Sequence, residues 1–349
     1  MSRFPATGEM ADEKDTLLPL DEIARRCSFS YEEQQSVSRI LEAVAEGARE
    51  TARRLFVGPL HGLTGSSGQV NVQGEDVQTF DEIAQEVFTA AFRQSKSVSL
   101  LVSEEREAPE SFSVGTEAPF YVAMDPLDGS SNLAVSGPVG SIFAIYRPVE
   151  RESRADPASA FLRSVSEVVG GIYVLYSVST LLVVSLCGEV RHYALDPQSS
   201  RFLPLPGPVR YPDGGGILSI NSGNYPRWTP DIRRYFDTVH SGPPRTARYV
   251  GSLVMDFHRN LVKGGIYLYP GDRPKDSTAV SHPEGKLRLL YEAIPMAVIA
   301  HAAGGLATNG QTPILKVPAV QLHQRVPLVV GSRDLVLEFH RLSGAPEPV

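Results

Sequence analysis

Acidic residues recur in this sequence where apolar runs end. Val98–Val102 is followed by Ser103-Glu104-Glu105, and Phe120–Met124 by Asp125-Pro126-Leu127-Asp128-Gly129-Ser130-Ser131-Asn132. Glu104-Glu105 alone also reads as a solvated face, and Asp-Pro-x-Asp-Gly alone as an ordinary turn, with proline fixing φ and glycine allowing positive φ. The chemical reading is that a tight turn at a strand end aims Asp125 and Asp128 at one point. Hard divalent cations such as Mg²⁺ and Mn²⁺ are bound by oxygen in that way, without histidine or cysteine. The small residues of Gly129-Ser130-Ser131-Asn132 then offer hydroxyls and approachable backbone N–H groups for an anion. Further along, Lys286-Leu287-Arg288-Leu289-Leu290-Tyr291-Glu292 alternates so that, as a strand, it presents Lys286, Arg288 and Glu292 on one side. That face is either an outward polar surface with weak ion pairs or a metal ligand, Glu292, beside two phosphate-binding cations. Two carboxylates ~4 Å apart repel by about 4 kcal/mol at an effective dielectric of 20, so a convergence of these acids requires cations. Metal held there would activate water and neutralise a phosphoryl group during in-line displacement.

The elements that position these residues follow from periodicity. Ser30-Tyr31-Glu32-Glu33 has capping-box spacing, and Val37, Ile40, Leu41, Val44, Ala45 and Ala48 recur at helical period, which predicts an amphipathic helix to about Phe56. Val57–Gly74 is glycine-rich, without an apolar face, and is expected to be a mobile loop. Thr79-Phe80-Asp81-Glu82 repeats the capping spacing and places Asp81 in a first helical turn. Val98–Val102, Phe120–Met124 and Ser141–Tyr146 read as buried strands. Val168–Gly188 has the length of a membrane span. Its glycines and serines, and the β-branched runs Ile172–Tyr176 and Thr180–Leu186, instead predict two strands of a buried sheet. Glu150–Asp156 is expected to be a surface loop, and the proline- and glycine-rich Leu203–Gly216 marks a boundary near residue 210. The expected organisation is therefore an N-terminal tail (1–28), an N-terminal α+β metal-binding domain (29–210) and a C-terminal α/β domain (211–349). In the latter, strands are expected at Ile217–Ile220, Ile266–Tyr269 and Lys286–Glu292, with helices near Val254–Val262 and at Pro295–Ala303.

Composition removes several classes of function. The 349 residues suggest about two domains at ~150 residues each, and 42% apolar with 21% charged residues is ordinary for a folded soluble chain. A net charge of −7 has the wrong sign for a nucleic-acid binder, so no nucleic-acid partner is expected. Cys27 and Cys187 cannot make a disulfide framework or a thiolate zinc site, and a reducing compartment is the default. Met1–Ser30 has neither the apolar core of a signal peptide nor the acid-poor character of a presequence; cytoplasm, with no membrane partner, is the expectation. GxxxxGK[ST], GxGxxG, CxxC, HExxH and GxSxG are all absent from the sequence.

Taken in order, Ser103-Glu104-Glu105, Asp125–Asn132, Ser219-Ile220-Asn221, Ala247–Ser252, Gly264–Pro270, Lys286–Glu292 and His323-Gln324-Arg325 resemble the fructose-1,6-bisphosphatases of the Mg²⁺-dependent, lithium-sensitive sugar phosphatase superfamily, over about residues 30–340. The resemblance implies an α/β (α+β) fold layered α/β/α/β/α with two mixed sheets. It also implies hydrolysis of a sugar 1-phosphate with two or three Mg²⁺, which Mn²⁺ can replace. Glu104, Asp125, Asp128, Glu292 and the Leu127 carbonyl match its metal ligands. Asp81 and Glu105 match the acids that take a proton from the attacking water. Gly129, Ser130, Ser131 and Arg288 match the cradle of the 1-phosphate. Asn221, Tyr225, Tyr249, Tyr269 and Lys286 match the site of the sugar and distal phosphate, and Arg248 matches an arginine that enters a neighbouring subunit's site, which implies a homo-oligomer, dimer or tetramer.

The departures are local. The family's Gly-Glu-Leu-Thr segment is missing and Phe120 stands where lysine is usual, although Tyr121 and Arg147 are kept, so inhibition by AMP is not expected. Glu75 replaces an aspartate, Leu133–Pro138 is unlike the usual run, and Gly271–Gly285 is lengthened. With no cysteine-bearing regulatory insertion, thiol switching is not expected either. The rival readings are a sedoheptulose-1,7-bisphosphatase, a dual-substrate bisphosphatase, an inositol-monophosphatase-like enzyme, and an inactive sugar-phosphate sensor.

Overall fold

A computed structural model of the chain describes residues 18–61, 66–70, 76–116, 118–149, 156–163, 165–272 and 283–347. Residues 1–17 of the tail, Glu75, most of the loop expected at Glu150–Asp156 and most of the lengthened stretch Gly271–Gly285 lie outside the described residues. Helix α1 (Tyr31–Val57) starts as its sequence predicts. The Ser30 hydroxyl accepts from the Glu33 amide at 3.2 Å while Glu33 accepts from the Ser30 amide at 2.9 Å. Within Val57–Gly74, expected to be a loop, β1 (Ser66–Val70) forms and pairs with β2 (Asp76–Gln78) just beyond it. A ladder is made by backbone groups, which glycine supplies as well as any residue, and composition does not reveal it. Helix α2 (Thr79–Ser95) packs on α1 and includes Thr79 itself, with Asp81 in its first turn as expected.

An eight-stranded sheet is built from β3 (Val98–Ser103), β4 (Glu110–Ser111), β5 (Phe120–Asp128), β6 (Val139–Tyr146), β7 (Val168–Tyr176), β8 (Thr180–Leu186), β9 (Glu189–Asp196) and β10 (Arg201–Pro204). Its order is β10-β9-β8-β7-β6-β5-β3-β4, and only β3 and β5 run parallel. The former membrane question is thereby settled for Val168–Gly188, which is a buried hairpin, and no helix among the described residues is long and apolar enough to cross a bilayer. Both faces are covered. Phe120, Val122 and Met124 meet α1 and α2, whereas Tyr121 and Ala123 on the opposite side meet the next helical layer. After the short α3 (Pro157–Arg163) and the sheet's last strands, a second sheet has the order β12-β11-β13-β17-β15. Its strands are β11 (Ile217–Ser219), β12 (Thr246–Ala247), β13 (Gly265–Tyr269), β15 (Leu306–Thr308) and β17 (Leu328–Gly331), while β14 (Leu287–Arg288) pairs separately with β16 (Arg325–Val326).

Helix α4 (Pro230–Ser241) and α7 (Arg333–Ser343) cover the outer face of this second sheet through Ile232, Tyr235, Val336 and Phe339. Helix α5 (Leu253–Lys263) and α6 (Ile294–Ala302) lie between the two sheets, sharing one core with both. The layers are thus α1/α2, large sheet, α5/α6, small sheet, α4/α7, the α/β/α/β/α architecture that the resemblance implies. The approach of α5 to the large sheet is close enough to demand Gly140, where a Cβ would sit 2.4 Å from Val254 Cγ2.

The two cysteines depart from expectation. Cys27, just after a short helical turn (Leu20–Arg26), is disulfide-bonded to Cys187 in the β8–β9 turn, with Cα atoms 5.6 Å apart. One bridge is not a framework, and 160 positions of sequence separation conceal it. Closing a loop of that length stabilises a folded chain by about 2–5 kcal/mol. Melting in dithiothreitol is therefore expected to lower Tm by several degrees, and Cys187→Ala is expected to lose that sensitivity; equal melting of the unmodified chain with and without reductant would disprove the staple.

Candidate active site

The turn expected at Asp125–Asp128 is instead a bulge inside β5. Asp125 pairs with Ile142 and Asp128 with Gly140, so β5 advances three residues while β6 advances two. Pro126 has no N–H to give the ladder, and its carbonyl is taken by the Ser141 hydroxyl at 2.7 Å. Three residues along a regular strand would put the two aspartates on opposite faces. The extra residue puts both on the face toward α5 and α6. The Leu127 amide donates to Asp125 Oδ1 at 3.0 Å, and Gly129, at φ +73°, opens the turn Ser130–Val135; a Cβ there would lie 2.7 Å from Ser252 Cβ.

The segment Lys286–Glu292 is corrected more deeply. Only Leu287–Arg288 is strand; Leu289–Ala293 forms a π-helical turn that runs into α6. Because Leu287–Glu292 are all buried and only Lys286 is partly exposed, the segment has no solvated face, and alternation loses its meaning. The turn is pinned from three sides. Tyr146 donates to the Leu290 carbonyl at 2.6 Å, Tyr291 Oη lies 2.9 Å from His323 Nδ1, and the Leu289 amide donates to the Gln324 carbonyl at 2.7 Å. His323 and Gln324 thus brace the turn. Glu292 Oε2 accepts from the Arg288 amide at 2.6 Å.

Carboxylate oxygens of Asp125, Asp128 and Glu292, all buried, lie within 4.8 Å of one another. Burial, then the charges of Glu104, Asp128 and Glu292, push the Asp125 carboxyl well above its ordinary range; burial and Glu104 do the same to Glu292. Asp128 is raised by burial but held down by three donors: Ser252 Oγ at 2.6 Å and the amides of Leu253 and Val254 at 3.1 and 2.9 Å. Glu104 follows β3, its amide donating to the Met124 carbonyl at 3.1 Å, and Arg288, 2% exposed, reaches it at 3.7 Å. Glu105 is pushed up to about 8 by burial and by Asp81 and Glu104 beside it, and its Oε2 is buried without a hydrogen-bond partner among the described residues. Asp81 Oδ2 accepts from the Ser130 hydroxyl at 3.3 Å, which joins α2 to the turn after β5. Gln85, one turn later on α2, accepts from Ser103 Oγ and thereby aligns the end of β3 with that helix.

At the carboxyl ends of β11 and β13, a small cavity of about 20 Å³ gathers Asn221, Tyr269 and Lys286. Asn224 also lines it, a residue not singled out from the sequence; its polar type at the helical turn after Asn221 was the available signal. Tyr225 turns elsewhere, its hydroxyl donating to Asp237 at 2.9 Å and its ring lying under Arg233. Tyr249 is stacked parallel to Tyr267, and Tyr267 to Tyr269, at 6.5 and 6.3 Å between ring centres. Arg248 is exposed, donating to the Ala247 carbonyl at 2.8 Å, and Ser131 is exposed at the turn. A separate hollow of about 1100 Å³ lies over Ser30, Glu33, Phe120, Tyr121 and Arg147, and there Arg147 is already paired with Glu33 at 2.7 Å.

Comparison with known proteins follows the same geometry. Residues 22–205 match the family description "Fructose-1-6-bisphosphatase, N-terminal domain" and residues 211–343 match "Fructose-1-6-bisphosphatase, C-terminal domain". The chain is 40% identical over 341 residues to the class 1 fructose-1,6-bisphosphatase of Synechococcus sp. (strain JA-3-3Ab), covering 96% of this chain and 99% of that protein. It is 42% identical over 307 residues to that of Thermosynechococcus vestitus, covering 86% and 85%. Among solved structures, Leishmania major fructose-1,6-bisphosphatase in holo form superposes with a TM-score of 0.83 at 32% identity, covering 88% of this chain and 94% of that one. With the layers, the acidic cluster and these likenesses in agreement, the chain belongs to the fructose-1,6-bisphosphatase family.

Proposed function

We propose that the chain hydrolyses the 1-phosphate of fructose 1,6-bisphosphate to fructose 6-phosphate and inorganic phosphate, with Mg²⁺ as its metal and Mn²⁺ as a substitute. The observation that carries this reading is the convergence of buried Asp125, Asp128 and Glu292 oxygens within 4.8 Å beside Glu104. The donor set fits a hard dication: it is all oxygen, and it leaves a buried excess of negative charge that only cations or protons relieve. Two or three ions held by Glu104, Asp125, the Leu127 carbonyl, Asp128 and Glu292 would neutralise phosphoryl charge and acidify a water. Asp81 and Glu105 receive the proton of the attacking water as its oxygen bonds to phosphorus and the bond from phosphorus to the C1 oxygen breaks, the departing C1 oxygen taking a proton from solvent water to leave as the hydroxyl of fructose 6-phosphate. Arg288 and the amides of Gly129, Ser130 and Ser131 hold the phosphoryl oxygens. Asn221, Tyr249, Tyr269 and Lys286 hold the distal phosphate and sugar; Tyr225, whose hydroxyl is given to Asp237, joins them only by turning from that bond. Arg248 of a second copy completes the site in a homo-oligomer, dimer or tetramer, which its exposure on this chain permits. We place the reaction in the cytoplasm.

The test is phosphate release with Mg²⁺ from fructose 1,6-bisphosphate and sedoheptulose 1,7-bisphosphate side by side. Release from the six-carbon substrate is expected at the higher kcat/KM, and it stops in EDTA. A preference for the seven-carbon sugar would overturn the substrate assignment, and release unaffected by EDTA would overturn the metal.

A further inference from the structure

The loop Arg248–Gly251 lies far in sequence from the metal-binding acids, yet the N-terminus of α5 touches both. Asp256, fully buried on the first turn of that helix, accepts from the Val250 amide at 2.9 Å and from the Gly251 amide at 3.1 Å. Arg259 Nη1 donates to its other oxygen at 2.7 Å. These bonds fold the loop back over the helix start, where Gly251 takes φ +85°. At the same start, Ser252 accepts from the Met255 amide at 3.3 Å and donates to Asp128 at 2.6 Å. One helix end therefore carries two positioning residues facing opposite ways, Ser252 toward a carboxylate of the acidic cluster and Asp256 toward the loop that carries Tyr249.

We propose that Asp256 positions the Arg248–Gly251 loop for recognition of the substrate's distal phosphate, and that Ser252 positions Asp128 for the metal, so that α5 sets both halves of the site without touching the reacting atoms. The inference rests on the bisphosphatase reading. A buried carboxylate that accepts two amides and pairs with one arginine has no solvent to replace those partners, so a neutral or displaced group there loosens the loop. Tyr249 would then leave its stack on Tyr267 and its place beside Tyr269, at a cost to binding of the distal group. Chemistry at the 1-phosphate would be spared.

The experiment compares fructose 1,6-bisphosphate with fructose 1-phosphate, which lacks the distal phosphate, using full-length enzyme of matched circular dichroism. In Asp256→Asn, kcat/KM for the bisphosphate is expected to fall about tenfold through KM, with kcat within about threefold and the 1-phosphate changed less than about twofold. Asp256→Glu, which keeps the charge but shifts it by a methylene, is expected to show the same split and serves if the asparagine variant does not fold. In Ser252→Ala, the dissociation constant for Mn²⁺, read without substrate from the electron paramagnetic resonance of free Mn²⁺, is expected to rise about fivefold. An equal fall for both substrates in the Asp256 variants, or no fall, overturns the role of Asp256. Unchanged Mn²⁺ binding overturns that of Ser252. Failure of the unmodified enzyme to release phosphate would instead overturn the bisphosphatase reading, and the Mn²⁺ titration needs no turnover.

Discussion

Asp125→Asn is expected to lower Mg²⁺-dependent phosphate release by on the order of 10³-fold or more, about 4 kcal/mol of barrier. The same substitution leaves the metal-free fold at least as stable. Both outcomes have one cause. Asp125 is buried at the bulge of β5, within reach of Asp128 and Glu292 and under the field of Glu104, and burial with those charges drives its carboxyl toward the protonated form. An amide of the same shape removes one of the mutually repelling groups and keeps an oxygen for the Leu127 amide. Without metal the fold is therefore at least as stable as before. With metal, the ligand charge that draws the dication is gone. If the cluster takes Mg²⁺ as proposed, only the folded chain offers it that site, so Mg²⁺ is expected to raise Tm of the unmodified protein and to leave Asp125→Asn unmoved. The measurements are phosphate release and thermal melting with Mg²⁺ and with EDTA. Activity above about a tenth of the original would exclude Asp125 as a ligand.

The parts of this molecule that could be read from sequence are those in which cause and effect are neighbours. The Ser30–Glu33 cap, the apolar stripe of α1, Asp81 in a first turn and the buried hairpin of β7 and β8 all depend on contacts within a few positions. Glu104 at the end of β3 and Asp125 and Asp128 in β5 were legible as acids after apolar runs, but the bulge that puts both aspartates on one face was not, because the ladder it interrupts includes Ser141 and Gly140 of another strand. Glu292 was legible by type and mistaken in geometry. Alternation reports a strand only when one face meets water, and this segment is buried all round between Tyr146 and His323. The grip of Ser252, Leu253 and Val254 on Asp128 spans 124 to 126 positions, and the Cys27–Cys187 bond spans 160. No local pattern carries such pairings. Asp256 was invisible for a related reason: an aspartate in a helical first turn reads as a solvated dipole partner, whereas here it is closed over by the loop before it.

Metal-free protein is expected to lose stability as pH rises from 6.5 to 8, and saturating Mg²⁺ is expected to abolish that loss. The sign follows from the raised carboxyls. Asp125 and Glu292 sit well above their ordinary range, and Glu105 titrates at about 8, each chiefly because burial disfavours its charged form. Folded, metal-free protein therefore binds more protons than the unfolded chain at neutral pH. The stability these protonated groups allow is complete below the unfolded carboxyl range and fades as pH climbs through the folded values. Buried histidines work in the opposite direction, mainly at lower pH. His258, lowered to about 4 by burial, favours the fold increasingly up to the ordinary histidine value of 6.5 and levels off within about a unit above it, as do His192, His323 and His340, which burial also lowers. Between 6.5 and 8 the carboxyls dominate, and for Glu105 the change is on the order of 1 kcal/mol, allowing for its partial exposure. Divalent metal takes the place of the protons, so its binding at pH 7 must release them. Calorimetric titration of Mg²⁺ in two buffers of different ionisation enthalpy is expected to show that release, and Glu105→Gln is expected to flatten the pH dependence of metal-free Tm between 6.5 and 8. If Mg²⁺ binds without releasing protons, or if Tm declines equally with and without it, the raised carboxyls are not the groups that hold the metal.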